Sequence, residues 1–181
     1  MAKRTEIRLT GSGGQGLILA GIILAEAALL DDLNAIQSQS YGPEARGGAS
    51  KAEVIISDEE IFYPKIQNSD VLLCLTRESY CKYIPDLKDD GILIIDSDVN
   101  FDNIDTSYKI IQIPVIETAT HEVGKVMVAN IVALGVIQEA TKVVSKESLE
   151  QAVLKRVPPG TQELNRLALQ EGYKLVSKHT G

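Results

Sequence analysis

The residues best suited to do chemistry form one run, Gly11-Ser12-Gly13-Gly14-Gln15-Gly16. It follows a strand-like stretch at residues 6–10 and opens a helix-like stretch from Gly16 to Leu30. A G-x-G-x-x-G fingerprint requires that context. Glycines let the backbone turn tightly and come close to a ligand. The helix start then offers unpaired N–H groups and partial positive charge, a seat for a phosphate or pyrophosphate. The competing reading is that the glycines only allow close packing of helix on strand. A nicotinamide or flavin site also expects an acidic residue at the end of the second strand, about 20 residues on, to hold a ribose. Here the second strand is Ala35-Ile36-Gln37-Ser38-Gln39-Ser40, and the acids Asp31 and Asp32 precede it. Tight dinucleotide binding is therefore disfavoured.

A second cluster is Tyr41-Gly42-Pro43-Glu44-Ala45-Arg46-Gly47-Gly48. In a parallel sheet it follows the second strand and lies at the carboxyl ends, where open α/β sheets place ligands. Arg46 can grip an anion bidentately, or pair with Glu44 and shape the loop or an interface. The remaining candidates are single residues. His121 beside Glu122 could be a general base, but a lone His at a helix start is more often solvated. Ser12 sits in no nucleophile elbow. Asp96-Ser97-Asp98 could hold a cation, or cap the next turn. These do not combine into a catalytic set, and none is assigned.

Composition narrows the classes further. The chain has 181 residues, with 18 Lys and Arg against 25 Asp and Glu, a formal charge of −7. That balance opposes a general nucleic-acid surface. Two His and two Cys are too few for an ordinary zinc cage or an iron–sulfur cluster, so no metal site is assigned. Cys74 lies in the apolar run of residues 71–75 and is expected to be a buried thiol. The amino terminus does not read as a signal peptide. The longest apolar stretches, residues 17–30 and 126–137, fall short of the ~18–20 uninterrupted residues a bilayer crossing needs. The expected compartment is the cytoplasm.

The elements that must position these residues alternate along the chain. Strands are expected at residues 6–10, 35–40, 52–57, 70–76, 91–96 and 109–114. Helices are expected at residues 16–30, 77–87, 118–141, 145–157 and 161–178. Continuous apolar runs such as residues 92–95 suit strands covered on both faces. The pattern predicts one α/β domain over residues 1–181, a Rossmann-like, mostly parallel sheet with helices on both faces and a helical C-terminal segment from about residue 145. The helices at residues 17–30 and 126–137 are nearly free of charge. A helix apolar all round must be covered on every side. Either one of them packs on another polypeptide, or the sheet and the last helix cover both.

Taken together, Gly11-Ser12-Gly13-Gly14-Gln15-Gly16, the Tyr41-Gly42-Pro43-Glu44-Ala45-Arg46-Gly47-Gly48 run, Ile56-Ser57-Asp58, Asp70-Val71-Leu72 and the segment 130–135 resemble the gamma subunits of 2-oxoacid:ferredoxin (acceptor) oxidoreductases. The resemblance spans nearly the whole chain and is nearest to the enzymes acting on 2-oxoglutarate. It implies a holoenzyme that decarboxylates a 2-oxoacid on thiamine diphosphate, passes electrons through iron–sulfur clusters to ferredoxin or a related acceptor, and transfers the acyl group to coenzyme A. It implies partners of alpha and beta type, with a delta subunit as a further candidate, and places the thiamine and cluster sites in them. An isolated chain is expected to be inactive and could dimerise. The cofactor-binding candidates here are Gly11, Ser12, Gly13, Gly14, Gln15, Gly16 and Arg46, with coenzyme A as the ligand the resemblance suggests. The alternative is a standalone nucleotide- or phosphate-binding enzyme or regulatory module of Rossmann-like fold.

Overall fold

The computed structural model describes residues 3–40, 49–99, 104 and 107–179. Strand β1 (Arg4–Ser12) sends successive side chains to opposite faces of the sheet, but both faces are covered: Glu6, Arg8 and Thr10, which alternation in the sequence would turn outward, are buried like Ile7 and Leu9. It leads to α1 (Leu17–Leu30), β2 (Asn34–Gln39) and β3 (Ala49–Ser57). The chain continues through β4 (Ser69–Cys74), α2 (Arg77–Tyr83), β5 (Leu87–Asp96) and β6 (Lys109–Ile113). Four helices close it: α3 (Val115–His121), α4 (Ala129–Thr141), α5 (Lys146–Arg156) and α6 (Gln162–His179).

The strands form one six-stranded sheet in the order β2-β3-β1-β4-β5-β6. The pairs β1/β4, β4/β5 and β5/β6 are parallel, whereas β3 is antiparallel to both β1 and β2. The sheet is thus mostly parallel, with one reversed strand inserted beside β1. Thr76 starts α2 with a capping box, and Pro85 stands in the 3-10 turn that follows Tyr83. The helix therefore ends before residue 87, and β5 begins at Leu87.

The two faces of the sheet carry separate cores, as the alternation of β5 shows. Ile94 points into the larger core with Ile7, Leu9, Val54 and Leu73. Leu93 and Ile95 point into the smaller one, with Tyr80 and Tyr83 of α2. Helices α1, α4, α5 and α6 belong to the first face and α2 to the second. Cys74 is buried in the second core and accepts a hydrogen bond from Thr10 Oγ1 at 3.5 Å; burial pushes its thiol up to about 12.

The helix expected over residues 118–141 is two helices. Gly124, at φ +86°, turns the chain between α3 and α4. Residues 129–138 of α4 are all buried, against α6, α3 and α1. This chain itself therefore covers α4, and no second polypeptide is needed there. The α4–α6 crossing is very close. A Cβ placed on Gly172 would come within 2.2 Å of the Val132 carbonyl oxygen, and one on Gly135 within 2.5 Å of that of Leu169. Helix α1 packs on β2, β3 and α5, and leaves Leu29 and Leu30 exposed at its end.

Candidate functional site

The glycine run spans the last residues of β1, a tight turn and the residue before α1. Gly14 and Gly16 take left-handed conformations, φ +85° and +72°, which side-chain-bearing residues adopt at a cost. Gln15 folds back over the run, and its Oε1 accepts a hydrogen bond from the Ser12 backbone N–H at 2.7 Å. That oxygen is engaged within the loop. Gly16 caps α1 with backbone alone; no side chain caps the helix, and no acid stands in its first turn. Among the described residues no side chain caps the positive end of the helix, and the adjoining Ser12, Gly13 and Gly14 are exposed.

A residue distant in sequence completes the loop. Asn130, buried near the start of α4, donates from Nδ2 to the Gly16 carbonyl at 3.2 Å. The sequence signal for it is faint: a lone amide interrupting an otherwise apolar stretch. Its neighbours Leu19, Met127, Val128 and Ile131 line an apolar groove of about 310 Å³ that begins one turn into α1.

The missing ribose carboxylate now has a geometric reason. Strand β3 separates β1 from β2, so the end of β2 is not the neighbour of the glycine loop. Asp31, one of the two acids that precede β2, is committed elsewhere. It lies at the far end of α1 and accepts hydrogen bonds from Ser145 N–H (2.5 Å), Ser145 Oγ (2.7 Å) and Ser148 Oγ (2.6 Å) at the start of α5. Burial raises its carboxyl, but these bonds outweigh it and hold the group below its ordinary value.

Arg46 and the rest of residues 41–48 lie outside the described residues. Their flank is placed: Ala49 pairs with Ser12 and Ser50 with Gly11, at the glycine-loop edge of the sheet. Asp96 is fully buried, accepting from the Asp98 N–H at 2.9 Å and the Ile116 N–H at 2.8 Å. It caps a turn and the start of α3, so the capping reading holds and both oxygens are spent on amides. Burial, the dominant influence, pushes its carboxyl upward. His121 is exposed and lines, with Glu117, Lys174 and His179, an open cleft of about 480 Å³ between α3 and α6. Among the described residues no three His, Cys, Asp or Glu side chains gather as a metal-binding set. No helix among them is long and apolar enough to cross a membrane.

Residues 6–175 match the family model described as pyruvate ferredoxin/flavodoxin oxidoreductase. The chain is 49% identical over 178 residues to 2-oxoglutarate synthase subunit KorC of Methanocaldococcus jannaschii, covering 97% of this chain and 95% of that protein. It is 50% identical to the gamma subunit of a keto/oxoacid ferredoxin oxidoreductase from Geobacter sulfurreducens PCA, with a TM-score of 0.90 over 98% of both chains. The fold also recurs, at 23% identity and a TM-score of 0.88, as 31% of a chain of the 2-oxoglutarate:ferredoxin oxidoreductase from Magnetococcus marinus.

Proposed function

This chain belongs to the pyruvate ferredoxin/flavodoxin oxidoreductase family, and from that premise we propose that it is the gamma-type accessory subunit of a multisubunit, cytoplasmic oxidoreductase converting 2-oxoglutarate to succinyl-coenzyme A. The observation that carries the reading is the end-to-end match with a 2-oxoglutarate synthase subunit, 97% of one chain against 95% of the other. The companions are of alpha and beta type, with delta as a further member. Ferredoxin takes the electrons through the complex.

The division of labour follows from the donor set. Cluster iron is held by several thiolates. Of the two cysteines, Cys74 is buried with its thiol pushed up to about 12, and Cys81 is alone on α2. The clusters are therefore assigned to the companions, and thiamine diphosphate chemistry with them as the family resemblance implies; the isolated chain is expected to turn over no substrate.

The glycine loop suits coenzyme A better than it suits a dinucleotide. The N–H groups at the start of α1 would receive its phosphates, Asn130 would hold the Gly16 carbonyl in place, and the adjoining apolar groove suits an aliphatic arm. Arg46 would supply a cation from the segment that begins and ends beside the same edge. When bound, coenzyme A supplies the thiol that accepts the acyl group. This chain's part is to bind and orient it.

Calorimetric titration of the purified chain with coenzyme A, NAD and thiamine diphosphate tests the assignment. Binding of coenzyme A, abolished by Gly16→Val, is the expected result. Tight NAD binding would instead favour a standalone dinucleotide enzyme.

A further inference from the structure

At the edge of the sheet opposite the glycine loop, residues 58–68 connect β3 to β4. Strand β1 separates the two edges by roughly 25–30 Å. The connection is built and held. The Lys3 N–H donates to Asp58 Oδ1 at 2.9 Å, and Arg4 Nη2 donates to the Tyr63 carbonyl at 2.9 Å. Arg8 Nη2 reaches the Ile66 carbonyl at 3.4 Å. Both arginines are themselves fixed, Arg4 by Glu6 at 2.6 Å and the buried Arg8 by Glu53 at 2.8 Å.

This held backbone presents two adjacent rings to solvent: Phe62 is 86% exposed and Tyr63 53%. Phe62 is one of only two phenylalanines in the chain, and it contributes almost nothing to the core. Asp58, Glu59 and Glu60, all exposed, stand before the rings, and Lys65 after them. Aromatic anchors on preordered backbone carry much of the energy of protein interfaces, because little entropy is lost when they are buried. The acidic run settles the kind of partner. A second copy would bring this net-acidic patch, three carboxylates to one lysine, onto a chain of formal charge −7, which opposes association. A companion surface with Lys and Arg around an apolar pocket is complementary to both parts.

We propose that Phe62 and Tyr63 insert into an apolar, basic-rimmed pocket on a companion subunit, so that this chain docks by one edge of its sheet and keeps the glycine-loop edge free for ligand. This rests on the accessory-subunit reading. It also moves the docking surface away from the apolar helix α4, which the chain covers for itself.

The test uses the full tagged chain co-expressed with its companion subunits, purified through the tag and resolved by size exclusion across a sodium chloride series. Phe62→Ser/Tyr63→Ser should lower companion recovery about thirtyfold, a hot-spot-sized loss. Its thermal melt by circular dichroism should overlay that of the unmodified chain, since both rings are exposed. Phe62→Leu, which keeps apolar bulk, should restore most of the recovery. Asp58→Asn/Glu59→Gln/Glu60→Gln should weaken recovery at low salt and converge on the unmodified chain at high salt. Full recovery with the serine variant overturns the proposal and leaves the subunit reading intact. No companions with the unmodified chain overturns both. An isolated chain that sediments as a dimer and is made monomeric by the serine variant assigns the surface to a second copy, and also overturns the proposal.

Discussion

Asn130 Nδ2 donates to the Gly16 carbonyl across 114 residues of chain, joining the first turn of α4 to the glycine loop. The Gly16 carbonyl also accepts the first helical bond of α1, from the Ala20 N–H at 3.0 Å. One peptide oxygen thus sets where α1 begins relative to the core. Replacing Asn130 with Ala should cost about 1 kcal/mol, near a typical hydrogen bond. The melting temperature should fall by about 2–4 °C. If the loop binds coenzyme A, titration of the variant should also show weaker binding, whereas a purely structural role would leave affinity unchanged.

The two left-handed glycines of the loop should behave differently. At Gly14 an added Cβ meets no atom of the described residues within 4 Å, so Gly14→Ala should cost the backbone strain, about 1–2 kcal/mol. At Gly16 the same atom would lie 2.6 Å from Asn130 Nδ2, so strain and collision combine. Urea midpoints should rank the unmodified chain first, Gly14→Ala second and Gly16→Ala last. Asn130→Ala should restore part of the Gly16→Ala loss, because it removes the colliding atom.

The α4–α6 crossing gives a non-additive pair. Gly172→Ala would push against the Val132 carbonyl and Gly135→Ala against that of Leu169. Each should cost about 1–3 kcal/mol through overpacking of backbone on backbone. Both act by forcing the same two helices apart. The double variant should therefore lose less than the sum of the singles in denaturant titrations.

Asp31 sets part of the acid sensitivity. Its carboxylate sits at the unfavourable end of α1, but also at the favourable start of α5, where three donors meet it. Its folded pKa is depressed, so its contribution is present above the unfolded value near 3.9 and fades as pH falls through the lower folded value. Asp31→Asn should be less stable at neutral pH, and its stability should fall less steeply below about pH 4. Thermal melts from pH 2 to 7 would show whether the two curves converge in acid as expected.

Arg46→Ala should weaken coenzyme A binding more than it weakens folding or assembly. Calorimetric titration, set beside the melting temperature of the variant and co-purification of companion subunits, measures the three effects separately. Unchanged coenzyme A affinity with reduced co-purification would assign Arg46 to the interface instead.

Much of this architecture is legible in local pattern, because burial imposes periods on the chain. Residues 6–10 alternate and then meet glycines, which marks the strand, the turn and the helix start. The unbroken apolar runs at residues 71–75 and 92–95 mark central strands. What the pattern does not carry is pairing. Nothing in residues 52–57 says that β3 runs against β1 and lies between it and β2, because register and direction are decided by contacts remote in sequence. Gly124 breaks residues 118–141, which read as one helix, and only its left-handed backbone explains why. The partners of Asn130 and Asp31 are likewise hidden from local sequence, since they lie more than a hundred residues away. The exposed Phe62 is a departure of another kind: an aromatic residue that folding leaves unused.

The most direct measurement is 2-oxoglutarate- and coenzyme A-dependent reduction of ferredoxin by purified components. The expected result is no turnover by this chain alone, deficient turnover by the companion subunits without it, and recovery when it is added back in stoichiometric amount. Turnover of any 2-oxoacid by the isolated chain, or full activity of the companions in its absence, would contradict the role assigned to it.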